Sequence, residues 1–288
     1  MPSTMSPLRY PGGKTQLSDF VKNIISLNKI HNPVYCEPFA GGAGIAMSLL
    51  LKGYVESVLL NDIDTSVYSV WFAILHDTDK LIRKIMSTPI NMEVWQKQRH
   101  IYTKHHNDAD YSFSLAFATF FLNRTNRSGI ITGGPIGGYE QKSKYNLDCR
   151  FNKEGLIKKI KAIAERNNNI KLYHFDAIQL INNVLMEQPR ENLFVYFDPP
   201  YYKQGKNLYM NFFDKKKHDA LSLAIKQMDE YFWIVTYDDT EEIRVLYDDR
   251  IIRKYMIRYS TNKVRKETEL FFASHATKVK PCSGISFK

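Results

Sequence analysis

The apolar run Leu193-Phe194-Val195-Tyr196-Phe197 passes directly into Asp198-Pro199-Pro200-Tyr201-Tyr202, and this junction constrains the fold more than any other stretch. Five β-branched, aromatic or aliphatic residues in succession read as a buried strand. Proline has no amide proton to give to a sheet ladder, so the strand must end near Asp198. A carboxylate, rigid backbone carbonyls and a phenol ring then stand at the carboxyl end of a strand, where open α/β sheets hold their ligands. An Asp-Pro pair alone would be an ordinary strand exit. The second proline and the paired tyrosines make this position a candidate site.

The flanking sequence supplies the rest of such a sheet. Val34-Tyr35-Cys36-Glu37-Pro38-Phe39-Ala40-Gly41-Gly42-Ala43-Gly44 reads as strand, glycine-rich turn and then a helix over 45–52. Small residues there let backbone amides approach a ligand at the helix N-terminus. The dinucleotide-binding spacing is imperfect, because Met47 stands where a third small residue belongs. Ser57 to Asp62 reads as a second strand ending in an acid, about 20 residues after the glycines, a spacing that suits a ribose-binding carboxylate. Asp62 would serve equally well as a helix N-cap. Further strands are expected over 170–175, 232–237, 251–259 and 269–273, with a helix over 177–187 that follows Asp176. At the N-terminus, Gly13-Lys14-Thr15 suggests a phosphate loop, but Leu8 stands where that motif needs glycine and no strand precedes it. Pro11-Gly12-Gly13 makes instead a tight turn that puts Lys14 at the start of an apolar helix over 17–25.

Between the second and third strands lies a segment of different character. Val67, Val70, Trp71 and Ile74 share one helical face, a polar helical region follows through His106, and Tyr111 to Leu122 reads as a core helix rich in Phe and Ala. That helix delivers Asn123-Arg124-Thr125-Asn126-Arg127. A glycine-rich loop or hairpin over 130–145 comes next, flanked by Arg127, Lys142, Lys144 and Arg150. From His76 to Asn168 there are 16 Lys and Arg against 9 Asp and Glu, and Arg250 to Lys266 holds 7 basic residues and no acid. Two basic regions in a chain of net charge +10 point to a polyanionic partner, most economically nucleic acid. A solvated surface loop accounts for the charge alone equally well. His105 and His106 lack partners at metal-ligand spacing, and no metal is expected.

The three cysteines are odd in number and widely spaced, which fits a reduced, cytoplasmic setting. No apolar run approaches the ~18 residues of a membrane span, and Met1 to Tyr10 lacks a signal-peptide core. The expected architecture is α/β: a doubly wound sheet over 1–75 and 169–288, interrupted by an insert over 76–168.

Six elements in order resemble the class-alpha, Dam-like DNA adenine methyltransferases over nearly the whole chain. They are Leu8-Arg9-Tyr10-Pro11-Gly12-Gly13-Lys14, Glu37 to Gly44, Asn61-Asp62-Ile63-Asp64, Phe121-Leu122-Asn123-Arg124, Asp198-Pro199-Pro200-Tyr201 and Thr261-Asn262-Lys263-Val264-Arg265. The resemblance implies a Rossmann-like methyltransferase sheet carrying a helical and hairpin target-recognition insert. It implies S-adenosylmethionine as donor, the exocyclic amine of a flipped adenine as acceptor and double-stranded DNA as partner. A separately encoded restriction endonuclease accompanies family members of restriction–modification pairs. By the same resemblance Tyr10, Lys14, Glu37, Pro38, Phe39, Ala40, Gly41, Gly42 and Gly44 line the cofactor site. Asp62 would bind the ribose, Asp176 would lie near the cofactor's adenine, and Asp198 would serve cofactor and target together. Asp198, Pro199, Pro200 and Tyr201 form the expected catalytic set; Asn123, Arg124, Arg127, Lys142 and Lys144 are the expected DNA contacts.

The residue types suit the reaction. The adenine amine is a weak nucleophile because its lone pair is delocalised into the ring. A carboxylate and a carbonyl that accept hydrogen bonds from its two N–H groups favour a pyramidal nitrogen aimed at the methyl group, while Tyr201 can stack on a base taken out of the duplex. An N4-cytosine methyltransferase would use the same geometry but usually places Ser at Asp198. A glutamine or RNA methyltransferase more often has Asn before the prolines. A nicotinamide dehydrogenase has no use for Asp-Pro-Pro-Tyr. The non-enzyme alternative is an inactive DNA-binding protein on the same fold. Relatives that methylate GATC follow Asn-Arg with an aromatic residue and a basic base-reader. Here Arg127, Ile131 and Thr132 take those places before a glycine-rich run, so the expected target is a site other than GATC.

Overall fold

The structure, a computed structural model, describes residues 4–9, 14–203, 213–260 and 264–281, with backbone alone at 257–260 and 264–267. Tyr10 to Gly13, most of the loop expected over 203–213, Thr261 to Lys263 and Cys282 lie outside these residues. After a 3-10 turn at Thr15–Leu17 the chain forms α1 (Ser18–Leu27), β1 (Val34–Glu37), α2 (Gly44–Leu51), β2 (Ser57–Asn61) and α3 (Thr65–His76). The insert follows as α4 (Thr78–Ser87), α5 (Met92–His105), α6 (Phe113–Thr125) and α7 (Lys153–Ala164). The sheet then resumes with β3 (Ile170–Tyr173), α8 (Ala177–Leu180), β4 (Leu193–Phe197), α9 (Lys215–Gln227), β5 (Phe232–Asp238), α10 (Glu241–Leu246), β6 (Arg253–Ser260) and β7 (Val264–Ala273).

Among the described residues seven strands make one sheet in the order β3-β2-β1-β4-β5-β7-β6. The first five run parallel, and β7 lies antiparallel between β5 and β6. Strand order reverses between β1 and β4, so a crevice opens at their carboxyl ends. Alternation along each strand sorts side chains into two layers. Tyr35, Phe194, Tyr196, Ile234 and Phe271 face the layer of α1, α2 and α3. Cys36, Val195, Phe197, Trp233 and Phe272 face Leu180, Leu221 and Ile225 on the opposite side. With both faces covered, all five residues of β4 are buried, which is why its sequence shows no polar alternation.

The helix expected over 177–187 is α-helical only to Leu180 and then widens into a π turn over Ile181–Leu185. Leu180, Ile181 and Leu185 are all fully buried. A five-residue step puts Leu185 back over Leu180, where the α-helical step of four would not. The N-cap before α3 is Asp64, which accepts from the Ser66 amide, so Asp62 is released from the capping role. His105 pairs with Asp108 at 2.8 Å, and among the described residues no helix is long and apolar enough to cross a membrane.

The insert has no core of its own. Leu81, Ile85, Trp95, Phe121 and Ile160 belong to the same apolar cluster as Val21, Leu50 and Val70. Helix α6 lies between α3 and α5 and buries most of its circumference. Its last turn is tied to the N-terminal segment. The Asn123 carboxamide accepts from the Arg9 amide at 2.8 Å and donates to the Arg9 carbonyl at 2.7 Å and the Gly129 carbonyl at 3.0 Å. Gly129 has φ +78°, and a Cβ there would lie 2.1 Å from the Arg9 carbonyl oxygen. Gly129→Ala is therefore expected to cost at least about 1–3 kcal/mol, the range for a side chain forced into a left-handed backbone. Urea unfolding followed by circular dichroism measures it.

Candidate active site

Each of the five parallel strands delivers an acid to the carboxyl edge: Glu37 on β1, Asp62 after β2, Asp176 after β3, Asp198 after β4 and Asp238 on β5. The turn between β1 and α2 sits among them. Gly41 and Ala43 both have positive φ, +46° and +43°, so the backbone folds back on itself tightly enough to need small side chains. The Gly41 amide donates to Asp62 at 2.8 Å, and the Trp71 indole donates to the Gly41 carbonyl at 2.9 Å. Asn61 joins this turn to the one after β3, donating to the carbonyls of Pro38 at 2.9 Å and Phe175 at 3.0 Å. Glu37 is buried and accepts from the Ala46 amide at 2.9 Å and the Tyr35 hydroxyl at 3.1 Å. Gly44 makes room for another element: a Cβ there would lie 2.2 Å from Thr15 Oγ1, so its absence lets the segment after Lys14 pack on α2.

Lys14 is a buried residue, only 4 % exposed, and its partner is one that sequence reading missed. Its Nζ donates to both oxygens of Glu269 on β7, at 2.7 and 2.8 Å, and to the Tyr201 hydroxyl. Tyr201 and Tyr255 in turn donate to Glu269. Asp198 stands 3.7 Å from the same Nζ and accepts from Thr236 at 2.9 Å; Thr236 is also bonded to Tyr196 at 2.8 Å. Downstream, the amides of Tyr202 and Lys203 donate to the two oxygens of Asp238, at 2.9 and 3.0 Å. The Asp-Pro-Pro-Tyr segment is thus fastened at both ends by β5 and β7. The one available signal for Glu269 was an acid heading the apolar run Leu270-Phe271-Phe272, and its buried face follows only from the β5–β7 register.

Burial dominates the ionisation of these groups. It pushes Glu37 up to about 8 and Asp62 up to about 7, the latter helped by the charge of Asp64. Asp198 rises to about 6 through burial; Lys14 holds it down and Glu269 pushes it up. Glu269 is different. Burial raises it too, but Lys14 and the hydroxyls of Tyr201 and Tyr255 outweigh that and leave it below the ordinary carboxylate range. Beside Asp176 lies a cleft of about 190 Å³ lined by Ala177, Ile178, Phe213, Lys217 and Leu221. Phe39 packs edge-on against Phe213, so the glycine-rich turn and this cleft share a wall.

The insert's polar residues divide into two groups. Asn123 is buried and its carboxamide is spent on backbone. Arg124 donates to the carbonyls of Arg150 and Pro7, and burial together with Arg9 and Arg150 lowers its pKa to about 10. Both side chains therefore make hydrogen bonds within the protein. Arg127, Lys142 and Lys144 are exposed, with Lys142 paired to Glu140 at 2.8 Å. The 130–145 arm is held at its base: Asn126 accepts from the Trp95 indole at 2.7 Å and donates to the carbonyls of Ile130 and Ile131, while Arg99 donates to Ile131 and Thr132. Ser128 at φ +56° turns the chain beside Arg127.

The sheet order with its antiparallel β7, the crevice at the strand-order reversal and the Asp-Pro-Pro-Tyr exit from β4 define a Rossmann-like methyltransferase. Residues 10–264 match the family model of the D12 class N6 adenine-specific DNA methyltransferases, and the chain belongs to that family. Its reaction is the transfer of a methyl group from a methyl donor to N6 of adenine in DNA. The chain is 28 % identical over 206 residues to the Type II methyltransferase M.MjaIII of Methanocaldococcus jannaschii, covering 67 % of this chain and 68 % of that one. Among solved structures it is similar to a proposed RNA methyltransferase of Pyrococcus horikoshii, with TM-score 0.41 and 12 % identity over 94 % of this chain and 85 % of that one. It is also similar to the rRNA methyltransferase aviRa of Streptomyces viridochromogenes, with TM-score 0.39 and 10 % identity over 93 % and 87 % of the two chains.

Because Glu37 and Asp62 titrate above the ordinary carboxylate range, the folded chain keeps protons on them at a pH where the unfolded chain has lost them. Their contribution to stability is full in acid and is lost as pH rises through about 7 for Asp62 and about 8 for Glu37. The urea midpoint of the Asp62→Asn variant is expected to fall less between roughly pH 5 and roughly pH 8 than that of the unaltered protein.

Proposed function

We propose that the crevice between β1 and β4 binds S-adenosylmethionine and one adenine taken out of double-stranded DNA, and that Asp198 carries the chemistry. The donor set supports this cofactor. Glu37, Asp62, Asp176 and Asp198 line the carboxyl edge of the sheet with carboxyl groups suited to hydrogen-bond hydroxyls and amines, and the small apolar cleft beside Asp176 suits a purine with an exocyclic amine. When bound, this cofactor supplies an electrophilic methyl group. Asp62 is suited to hold ribose hydroxyls because it is already fixed by the Gly41 amide, while Pro38, Phe39, Ala40 and Gly42 shape the turn around it. Lys14 borders the same crevice through Asp198, and Tyr10, outside the described residues, is carried into this reading by the family resemblance alone.

The chain's own part in the reaction is positioning. The Asp198 carboxylate and the Pro199 carbonyl accept hydrogen bonds from the two amine N–H groups and turn the nitrogen lone pair outward. Pro200 keeps that carbonyl rigid, and the Tyr201 ring stacks on the base. Asp198 also takes part of the developing positive charge on nitrogen, and its position about 3.7 Å from Lys14 leaves its lone pairs accessible. The observation that carries this reading is the joint restraint of Asp198 by Thr236 and of the following turn by Asp238.

The insert over 76–168 serves as the DNA-binding part of the protein, with the sheet over 1–75 and 169–288 as the catalytic part. Arg127 and the lysines Lys142 and Lys144 reach DNA directly. Asn123 and Arg124 act one step back, holding the Arg9 and Arg150 segments in place. Arg127, Ile131 and Thr132 favour a target site other than GATC, and a separately encoded restriction endonuclease is a natural partner for such an enzyme in the cytoplasm. Asp198→Ala should lower methyl transfer at least about 1,000-fold, the scale of removing a key electrostatic contact, with the fold retained by circular dichroism. Turnover near that of the unaltered protein excludes the assignment. Modification-sensitive sequencing of DNA incubated with the protein and S-adenosylmethionine reads the base and its context together.

A further inference from the structure

Glu269 sits in the middle of the restraints just described and has no place in the reaction as drawn. Its side chain is 2 % exposed. On β7 it lies directly across from Tyr255 of β6 and Asp238 of β5. Its two oxygens receive Lys14 twice, Tyr201 and Tyr255. A buried ion pair is a poor source of stability, since an apolar pair of similar volume often does as well. What distinguishes this pair is its location. One end fixes the hydroxyl of the tyrosine in Asp-Pro-Pro-Tyr, and the other holds a lysine that lies within ion-pair reach of Asp198.

We infer that Glu269 is a positioning residue for methyl transfer: it locks the Tyr201 ring and keeps Lys14 off Asp198. The inference rests on the proposed roles of Asp198 and Tyr201. Two distances carry it. Lys14 Nζ is 2.7 Å from Glu269 and 3.7 Å from Asp198, so the lysine is committed to Glu269 while standing one short movement from the other acid. Thr236 already occupies Oδ1 of Asp198. Were Lys14 to close on that carboxylate, its charge would weaken the carboxylate as an acceptor and oppose the positive charge developing on the amine nitrogen. The Tyr201 tether acts on the second element. A phenol bonded at its hydroxyl cannot swing about its side-chain torsions, so the ring face is presented at a fixed distance from the carboxylate that precedes it by three residues.

Glu269→Gln keeps the shape of the side chain and removes its charge. Lys14 then loses its close anionic partner and moves toward Asp198, an acid already 3.7 Å away. Losing the Glu269 charge and gaining Lys14 both lower the Asp198 pKa, as the effects on that group dictate. Tyr255 and Tyr201 remain donors facing the amide, and Glu37, whose own carboxyl Asp198 raises, stands across the crevice.

The test uses the full chain, duplex DNA and labelled S-adenosylmethionine, with single-turnover rates measured across pH. Glu269→Gln should lower the single-turnover rate at least about tenfold while the dissociation constants for DNA and cofactor change less than about threefold, the signature of an interaction realised in the transition state. The acid limb of its rate profile should move to lower pH. Tyr201→Phe, which keeps the ring and removes the tether, should lower the rate with the acid limb unmoved. The double variant should be no slower than Glu269→Gln alone by more than about threefold, because the two act as a unit. An unchanged rate in Tyr201→Phe overturns the inference whether or not Glu269→Gln folds. A folded Glu269→Gln with unchanged rate and profile also overturns it. If the unaltered protein itself transfers no methyl group to DNA, the proposed function fails and not this inference.

Discussion

Burying several acids at one edge of a sheet costs free energy unless each finds a proton, a donor or a cation. This protein uses all three solutions side by side. Glu37 and Asp62 keep protons to unusually high pH and take backbone amides. Asp238 accepts from two successive amides of the strand exit it restrains. Glu269 takes the ammonium of Lys14 and two phenols, and is held in its charged form. Asp198 is the intermediate case: hydrogen-bonded to Thr236, paired with Lys14 at the longer distance of 3.7 Å, and raised to about 6. The rest of the crevice satisfies its neighbours and leaves Asp198 with capacity in reserve.

Much of this could be read from the sequence because it depends on local rules. An apolar run ended by two prolines must stop where it does, and the five parallel strands, the glycine-rich turn and the buried Phe-rich helix all follow from periodicity and turn chemistry. Glu269 could not be read that way. Its significance depends on register between strands far apart in the chain, Asp238 with Glu269 and Tyr255 with Glu269, and no periodicity within a strand encodes which residue it will face. The internal contacts of Asn123 and Arg124 were hidden for a related reason. Polar residues at the end of an apolar helix look like surface, yet here they cap a junction made by the N-terminal segment folding over that end. The π turn after α8 was equally hidden, since three buried side chains at uneven spacing fit neither a clean α-helix nor a strand.

The same N-terminal segment gives the structure its mechanical unity. Arg9 is clamped to α6 and to the Gly129 turn at the root of the basic arm. Lys14, five residues on, is clamped to Glu269 of β7. Five residues can span at most about 18 Å even when fully extended, so the root of the arm and the acids of the crevice are held within a short fixed range. The continuous apolar cluster from α1 and α2 through α6 to Ile160 reinforces this from beneath. Had the insert possessed a separate core and a free linker, the basic arm could take many orientations relative to Asp198. Sharing one core and one clamped segment removes that freedom before any substrate is bound, and under the proposed function this is the entropic form that positioning takes.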